Sequence, residues 1–279
     1  MEGKNCFGVG DREHMLVLTN ICKVFNRDTI NEKHMFSHLN LSIQRGEFVT
    51  IIGSNGAGKS TLLNIIAGAL PADGGRIILD GRDVTTLPEH KRACFMGRVF
   101  QDPLLGTSPN MTIEENLSLA FNRAHNTSLG WGLNPKLRGL FCEALAALQL
   151  GLEGRLNTKV KFLSGGQRQA LTLLMATLTK PKLLLLDEHS AALDPNTAVQ
   201  INDLSERIIA EYGITTLMVT HNMENAIKMG NRLIMLQEGK IILDIRGLQK
   251  ARLSVGRLLE MFREVQGSEF SYDEALLAP

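Results

Sequence analysis

Gly53-Ser54-Asn55-Gly56-Ala57-Gly58-Lys59-Ser60-Thr61 is a glycine-rich run closed by a lysine and two hydroxyl residues. It is entered from the apolar run Phe48-Val49-Thr50-Ile51-Ile52 and leads into Leu62-Leu63-Asn64-Ile65-Ile66-Ala67, so the order is strand, loop, helix. Gly53, four further residues, Gly58, Lys59 and Ser60 fit the P-loop pattern. In such a loop backbone N–H groups surround phosphates, the lysine reaches the outer phosphate oxygens and the hydroxyl ligates Mg²⁺. Glycine is required where a Cβ would block close approach or a positive φ. The helix that begins at Lys59 adds the positive end of its dipole, which makes the loop an anion site before any side chain acts.

Downstream, Arg76-Ile77-Ile78-Leu79 reads as a short strand and Met96-Gly97-Arg98-Val99-Phe100 as another, which ends at Gln101. A polar side chain at a strand's end is where α/β sheets place ligand groups, although Gln101 alone reads more often as a loop residue. From about 104 to 165 the pattern turns helical. Thr112 with Glu115 has capping-box spacing, and a second amphipathic run spans Leu140 to Leu148. Trp131, in the loop between them, reads as an aromatic packed under that loop. Ser164-Gly165-Gly166-Gln167 then opens a long helix. Ser164 and Gln167 form a capping box, but capping does not explain two consecutive glycines, which suit a backbone that must approach a ligand. Leu183-Leu184-Leu185-Leu186 is a fully buried strand delivering Asp187 and Glu188 to the carboxyl edge of a sheet. Adjacent residues there face opposite ways, so one carboxylate can organise a metal while the other accepts a proton from water. Asp194 reads as a helix cap, and Thr215 to Thr220 as a strand that presents His221.

Upstream, Leu16 to Ile21 and Leu39 to Ile43 alternate as half-buried strands and predict an antiparallel β-layer before the α/β core. Phe25, in the polar connection between them, is either core or a flat surface on which a base can stack. Residues 232–245 predict a hairpin around Glu238-Gly239 that closes the core. An amphipathic helix near Val255 to Phe262 follows, and then a tail. The predicted organisation is one domain over residues 1–245, with a helical subdomain inserted at about 104–165, and a short helical extension over 246–279. The 279 residues are 44% apolar, enough for a substantial core, and 30 Lys plus Arg against 29 Asp plus Glu leave a net charge of +1. That balance gives no electrostatic footprint for nucleic acid. Cys6, Cys22, Cys94 and Cys142 form no C-x-x-C, which argues against zinc and a disulfide framework. The N-terminus lacks a hydrophobic signal region, and no apolar run approaches the roughly 20 residues of a membrane span, so any work at a membrane needs a partner as anchor.

The order P-loop, Gln101, LSGGQ, LLLLDE, Asp194 loop, His221 resembles the ATPase subunit of ATP-binding cassette (ABC) transporters along about residues 15 to 245. LSGGQ matches that family's signature letter for letter, and no guanine-specific NKxD motif is present. The resemblance implies an α/β, RecA-like P-loop NTPase core with ATP and Mg²⁺ as ligands. Phe25 would stack the adenine and Gly53 to Thr61 would cradle the phosphates. Gln101 would link the γ-phosphate and Mg²⁺ to the membrane partner. Asp187, with Ser60, would hold the metal, Glu188 would be the general base, and His221 would contact the γ-phosphate. Ser164, Gly165, Gly166 and Gln167 would act in trans on a second subunit's nucleotide, with Asp194 at the dimer contact. The partners so implied are a second copy and an integral membrane permease, docked in a groove near Gln101 and residues 103–111. An extracytoplasmic substrate-binding protein would belong to the same system, and the chain would lie on the cytoplasmic face of the membrane. His189 departs from the Pro or Ala that commonly follows the family's Asp-Glu pair and reads as a tolerated loop residue. DEHSAALDP and QDPLLGTSPNMTIEENLSLA are similar to a bacterial subgroup of tryptophan-type amino-acid importers. An exporter, a lipid- or lipoprotein-extraction ATPase and a soluble ABC ATPase remain the alternatives.

Overall fold

The computed structural model describes residues 13–125 and 135–266; Cys6, Trp131 and the tail from Gly267 lie outside them. In chain order the first half comprises β1 (His14–Phe25), β2 (Lys33–Gln44), β3 (Phe48–Ile52), α1 (Lys59–Ala67), β4 (Gly74–Leu79), β5 (Arg82–Asp83), α2 (Glu89–Arg92), β6 (Met96–Val99), α3 (Ile113–His125) and α4 (Pro135–Ala146). After a 3₁₀ turn at Val160–Phe162 come α5 (Gly165–Thr177), β7 (Leu183–Asp187), α6 (Pro195–Tyr212), β8 (Thr215–Val219), α7 (Met223–Lys228), β9 (Arg232–Gln237), β10 (Lys240–Arg246), α8 (Gly247–Ala251) and α9 (Val255–Gln266).

Two sheets organise these elements. The antiparallel one has order β2-β1-β4-β5, and the six-stranded one has order β10-β9-β3-β8-β7-β6, parallel from β9 to β6 with β10 antiparallel at one edge. The strand that feeds the phosphate loop, β3, lies between β9 and β8 and is buried along its whole length. Alternation along β7 sorts its leucines. Leu183 and Leu185 face the core shared with α1 and the antiparallel layer, whereas Leu184 and Leu186 face the core shared with α3, α4, α5 and α6. All four are inaccessible to solvent, and each contributes roughly 2 kcal/mol by burial. This two-sided burial is why the strand reads as an unbroken apolar run. A third cluster joins α7, α9 and the β9–β10 hairpin through Met223, Ala226, Leu258 and Phe262. Among the described residues no helix is long and apolar enough to cross a membrane.

The structure departs from the sequence reading in three places. β1 continues through Lys23 and Val24 to Phe25, residues the alternation leaves in a connection. Register shifts next to Asn20 and His38, both at positive φ, break the period-two pattern that would reveal the extension. α4 opens at Pro135, where the fixed φ of proline suits a first helical position, inside a segment that composition marks as loop. Glu188 is not extended like Asp187 but sits at φ 46°. The Glu238-Gly239 turn closes β9 onto β10 with both residues at positive φ, as a two-residue hairpin requires.

Candidate functional site

The carboxyl ends of β3, β7 and β8 lie side by side, so residues far apart in sequence converge there. From β3 the chain enters the phosphate loop and then α1, whose N-cap, Gly58 at φ 103°, offers no side-chain cap. The first N–H groups of α1 are therefore left for an anion. A Cβ on Gly58 would lie 2.8 Å from Met35 Sδ and 3.0 Å from the Phe36 ring, so only glycine lets the loop nest against β2. The hairpin turn braces the loop from the other side, Gly239 N–H donating to Ala57 O at 3.0 Å. Lys59 is buried and folds back, its ammonium donating to Gly53 O at 2.7 Å and Ser54 O at 3.1 Å. Burial pulls its pKa below the ordinary lysine value, against the opposing pull of Glu188 and Asp187.

Asp187 ends β7 beside this loop. Burial pushes its carboxyl above the usual range, and Arg98 at 3.4 Å opposes that. Ser60 Oγ lies 3.5 Å from Asp187 Oδ1. Arg98 also donates to Asn64 Oδ1 at 2.7 Å and lies 4.5 Å from the Phe100 ring centroid. One residue on, the left-handed Glu188 donates its N–H to Val219 O at 2.9 Å, which ties it to the end of β8. That backbone costs of order 1–3 kcal/mol and turns the carboxylate toward His221, whose Nδ1 is 3.3 Å from Glu188 Oε2. Gln101, after β6, is exposed and makes no hydrogen bond among the described residues. Phe25 is half-buried, with the Lys23 ammonium 5.6 Å from its ring centroid. It pairs across the sheet with Lys33.

His189 is buried to 2% exposure beside this group, with Nε2 2.9 Å from Ser205 Oγ. Ser205 spends its single hydroxyl proton on Ile201 O at 2.8 Å, so Nε2 of His189 carries the proton in their shared bond. Burial pushes its pKa down to about 4. His189 and Glu188 line one cleft of about 400 Å³ with His221 and Asn202.

The LSGGQ turn lies apart from the phosphate loop. Ser164 accepts from Gln167 N–H and Gln167 reaches back to Ser164 N–H, the capping box that the sequence spells. Asp194 caps α6 by accepting from Thr197 N–H at 3.1 Å. The two helix starts touch, since a Cβ on Gly166 would come within 2.4 Å of Thr197 Cγ2. Gly166 is thus explained by packing inside the chain. Gly165 is not, because the nearest atom to a Cβ there is Leu193 Cδ2 at an ordinary 3.5 Å. No hydrogen bond or ion pair joins this turn to the phosphate loop among the described residues, and the N–H groups of Gly165 and Gly166 have no acceptor among them. No sequence motif marks Arg98 or Lys33; the pairing of β1 with β2 and of β6 with β7 is what brings them to the site.

The family model described as ABC transporter matches residues 36–191. The chain belongs to the ABC transporter family. A tyrosine transport ATP-binding protein of Clostridioides difficile is 48% identical to this ABC ATPase over 248 residues, covering 89% of this chain and 98% of that protein. A spermidine/putrescine import ATP-binding protein of Mannheimia succiniciproducens is 39% identical over 215 residues, 77% of this chain, which spans about half (54%) of that longer relative. Among solved structures, a dimeric ATP-binding cassette in a post-hydrolysis state with ADP and Pi superimposes with a TM-score of 0.72 at 30% identity, covering 83% of this chain and 98% of that one. The ADP conformation of a second ABC transporter cassette gives 0.71 at 28% identity, covering 89% and 98%. This ABC cassette accordingly binds and hydrolyses ATP as the ATPase subunit of a transporter.

Proposed function

We propose that two copies of this ABC ATPase close head to tail over ATP and drive an integral membrane permease that imports a small, amino-acid-like solute. The observation that carries this reading is the division of the site. Lys59, Asp187, Glu188 and His221 gather at one sheet edge, whereas the LSGGQ turn, with unmet N–H groups, stands against α6. Phosphoryl transfer needs charge stabilisation on the γ-phosphate side opposite the loop, and a second copy's helix N-terminus supplies it.

In this reading the loop amides of 53–61 and Lys59 hold the phosphates, and Phe25 stacks the base. Glu188 accepts the proton of the attacking water. His221 orients Glu188 and meets the γ-phosphate. Ser164, Gly165, Gly166 and Gln167 face the partner's nucleotide, and Asp194, the cap of the adjoining α6, lies at the dimer contact. The donor set suits Mg²⁺, because Ser60 and Asp187 offer converging hard oxygens and a single carboxylate, as an ion that keeps water and phosphate oxygens prefers. Ser60, Asp187 and Gln101 would hold that ion, which neutralises phosphate charge when bound.

A groove of about 380 Å³ lined by Phe100, Leu105, Leu119, Arg123 and Met175 would receive the permease. Leu105 and Leu119, on this one groove, are 70% and 55% exposed, and apolar surface gathered in one place marks an interaction site. With a permease as anchor, the ATPase sits peripherally on the cytoplasmic face. The relative named for tyrosine transport supports an amino-acid cargo and the import-named relatives support the direction. The test is to tag this subunit, solubilise native membranes gently and identify what co-purifies. A multi-span permease encoded beside an extracytoplasmic binding protein is expected; recovery only with ribosomes or nucleic acid would overturn the reading.

A further inference from the structure

We infer that Lys33 is a nucleotide-contact residue that no motif marks, supplying a second ammonium to the phosphate chain from the β2 side of the loop. Backbone register carries the inference. Side chains two apart on a strand share a face, and Lys33 and Met35 on β2 lie against two loop glycines that are also two apart. The Lys33 ammonium is 3.7 Å from the Cβ position of Gly56, and Met35 Sδ is 2.8 Å from that of Gly58. Lys33 also pairs directly across the antiparallel ladder with Phe25. A molecule that spans the Phe25 ring and the loop therefore passes the Lys33 side chain.

The charges at this end of the hairpin point the same way. Lys23 and Arg27 both face Asp73, and His34 faces Glu32. Lys33 is exposed and has no carboxylate partner among the described residues. Lys59, by contrast, is buried and held by Gly53 O and Ser54 O. Lysine acts on phosphate as a point charge on a flexible stem, so Lys33 reaches the ligand without a fixed rotamer. Its contribution is electrostatic and screened by salt.

The inference rests on the reading that the ligand runs from Phe25 to the loop, and the experiment separates the two. ATP affinity of the full chain is measured by calorimetry at low and high salt for the wild type, Lys33→Met, Lys33→Arg and Phe25→Ala. Lys33→Met is expected to weaken ATP binding about 3- to 10-fold with a shallower salt dependence, and Lys33→Arg to stay near the wild type. Unchanged affinity in Lys33→Met, or a loss with the salt dependence intact, would overturn the inference. Wild-type affinity in Phe25→Ala alongside a loss in Lys33→Met would refute only the stacking and leave the Lys33 contact standing.

Discussion

Replacing Arg92 by Met tests how the phosphate loop is held from behind. Arg92 is 2% exposed, and its guanidinium meets four carbonyls, Ile65 O, Ile66 O and Leu87 O at 2.8 Å and Thr85 O at 3.0 Å. The first two belong to the C-terminal turn of α1, the helix whose N-terminus is the phosphate loop. A cation there also opposes the negative end of the dipole. Room for it comes from Gly68, since a Cβ at that position would lie 2.8 Å from Arg92 Nε. Methionine keeps the stem but donates nothing. Ile65 O retains Gly68 N–H, so three carbonyls lose their partner. At about 1–1.5 kcal/mol each, with the lost dipole interaction offset by relief of a desolvated charge, the net destabilisation is about 4 kcal/mol. Urea unfolding should show a lower midpoint at unchanged slope, with a melting temperature lower by roughly 10 °C. Lysine, with one ammonium, should recover less than half. A loss below about 1 kcal/mol, or a full rescue by Lys, would refute the reasoning.

Further outcomes follow from the same geometry. Glu188→Gln should slow hydrolysis about 10²- to 10⁴-fold while ATP binding survives, and unchanged turnover would remove Glu188 as the base. Lys59→Ala should abolish nucleotide binding or hydrolysis, as calorimetry and phosphate release would reveal; normal affinity and rate would dismiss the cradle. His189 has a folded pKa of about 4 against an ordinary 6.5, so below pH 6.5 the unfolded chain binds a proton that the folded chain refuses. Its contribution to stability is complete above that pH and is lost as pH falls toward 4, by up to about 3 kcal/mol. The difference in unfolding free energy between wild type and His189→Gln should therefore shrink between pH 7 and 4, and a constant difference would count against a buried neutral imidazole.

What the sequence made legible was local. The strand-loop-helix around Lys59, the capping box at Ser164, the four leucines before Asp187 and the Glu238-Gly239 hairpin depend on neighbours in sequence, and each is present in the structure. What it hid depends on partners far along the chain. No local pattern singles out Arg92, Arg232 or Lys250, yet all three are buried, because backbone carbonyls of other elements meet them. The bulges of β1 disguised its true end and with it the neighbourhood of Phe25 and Lys33. Gly166 has a packing requirement that its motif does not announce, since Thr197 occupies the space a side chain there would need.

Completion of the hydrolytic site between two copies is tested by the mass of the Glu188→Gln chain in solution with and without ATP. A monomer is expected without nucleotide, a dimer with ATP, and loss of that dimer when Ser164 is replaced by a bulky residue. A chain that stays monomeric at saturating ATP, while the wild type hydrolyses at a specific rate independent of protein concentration, would contradict it.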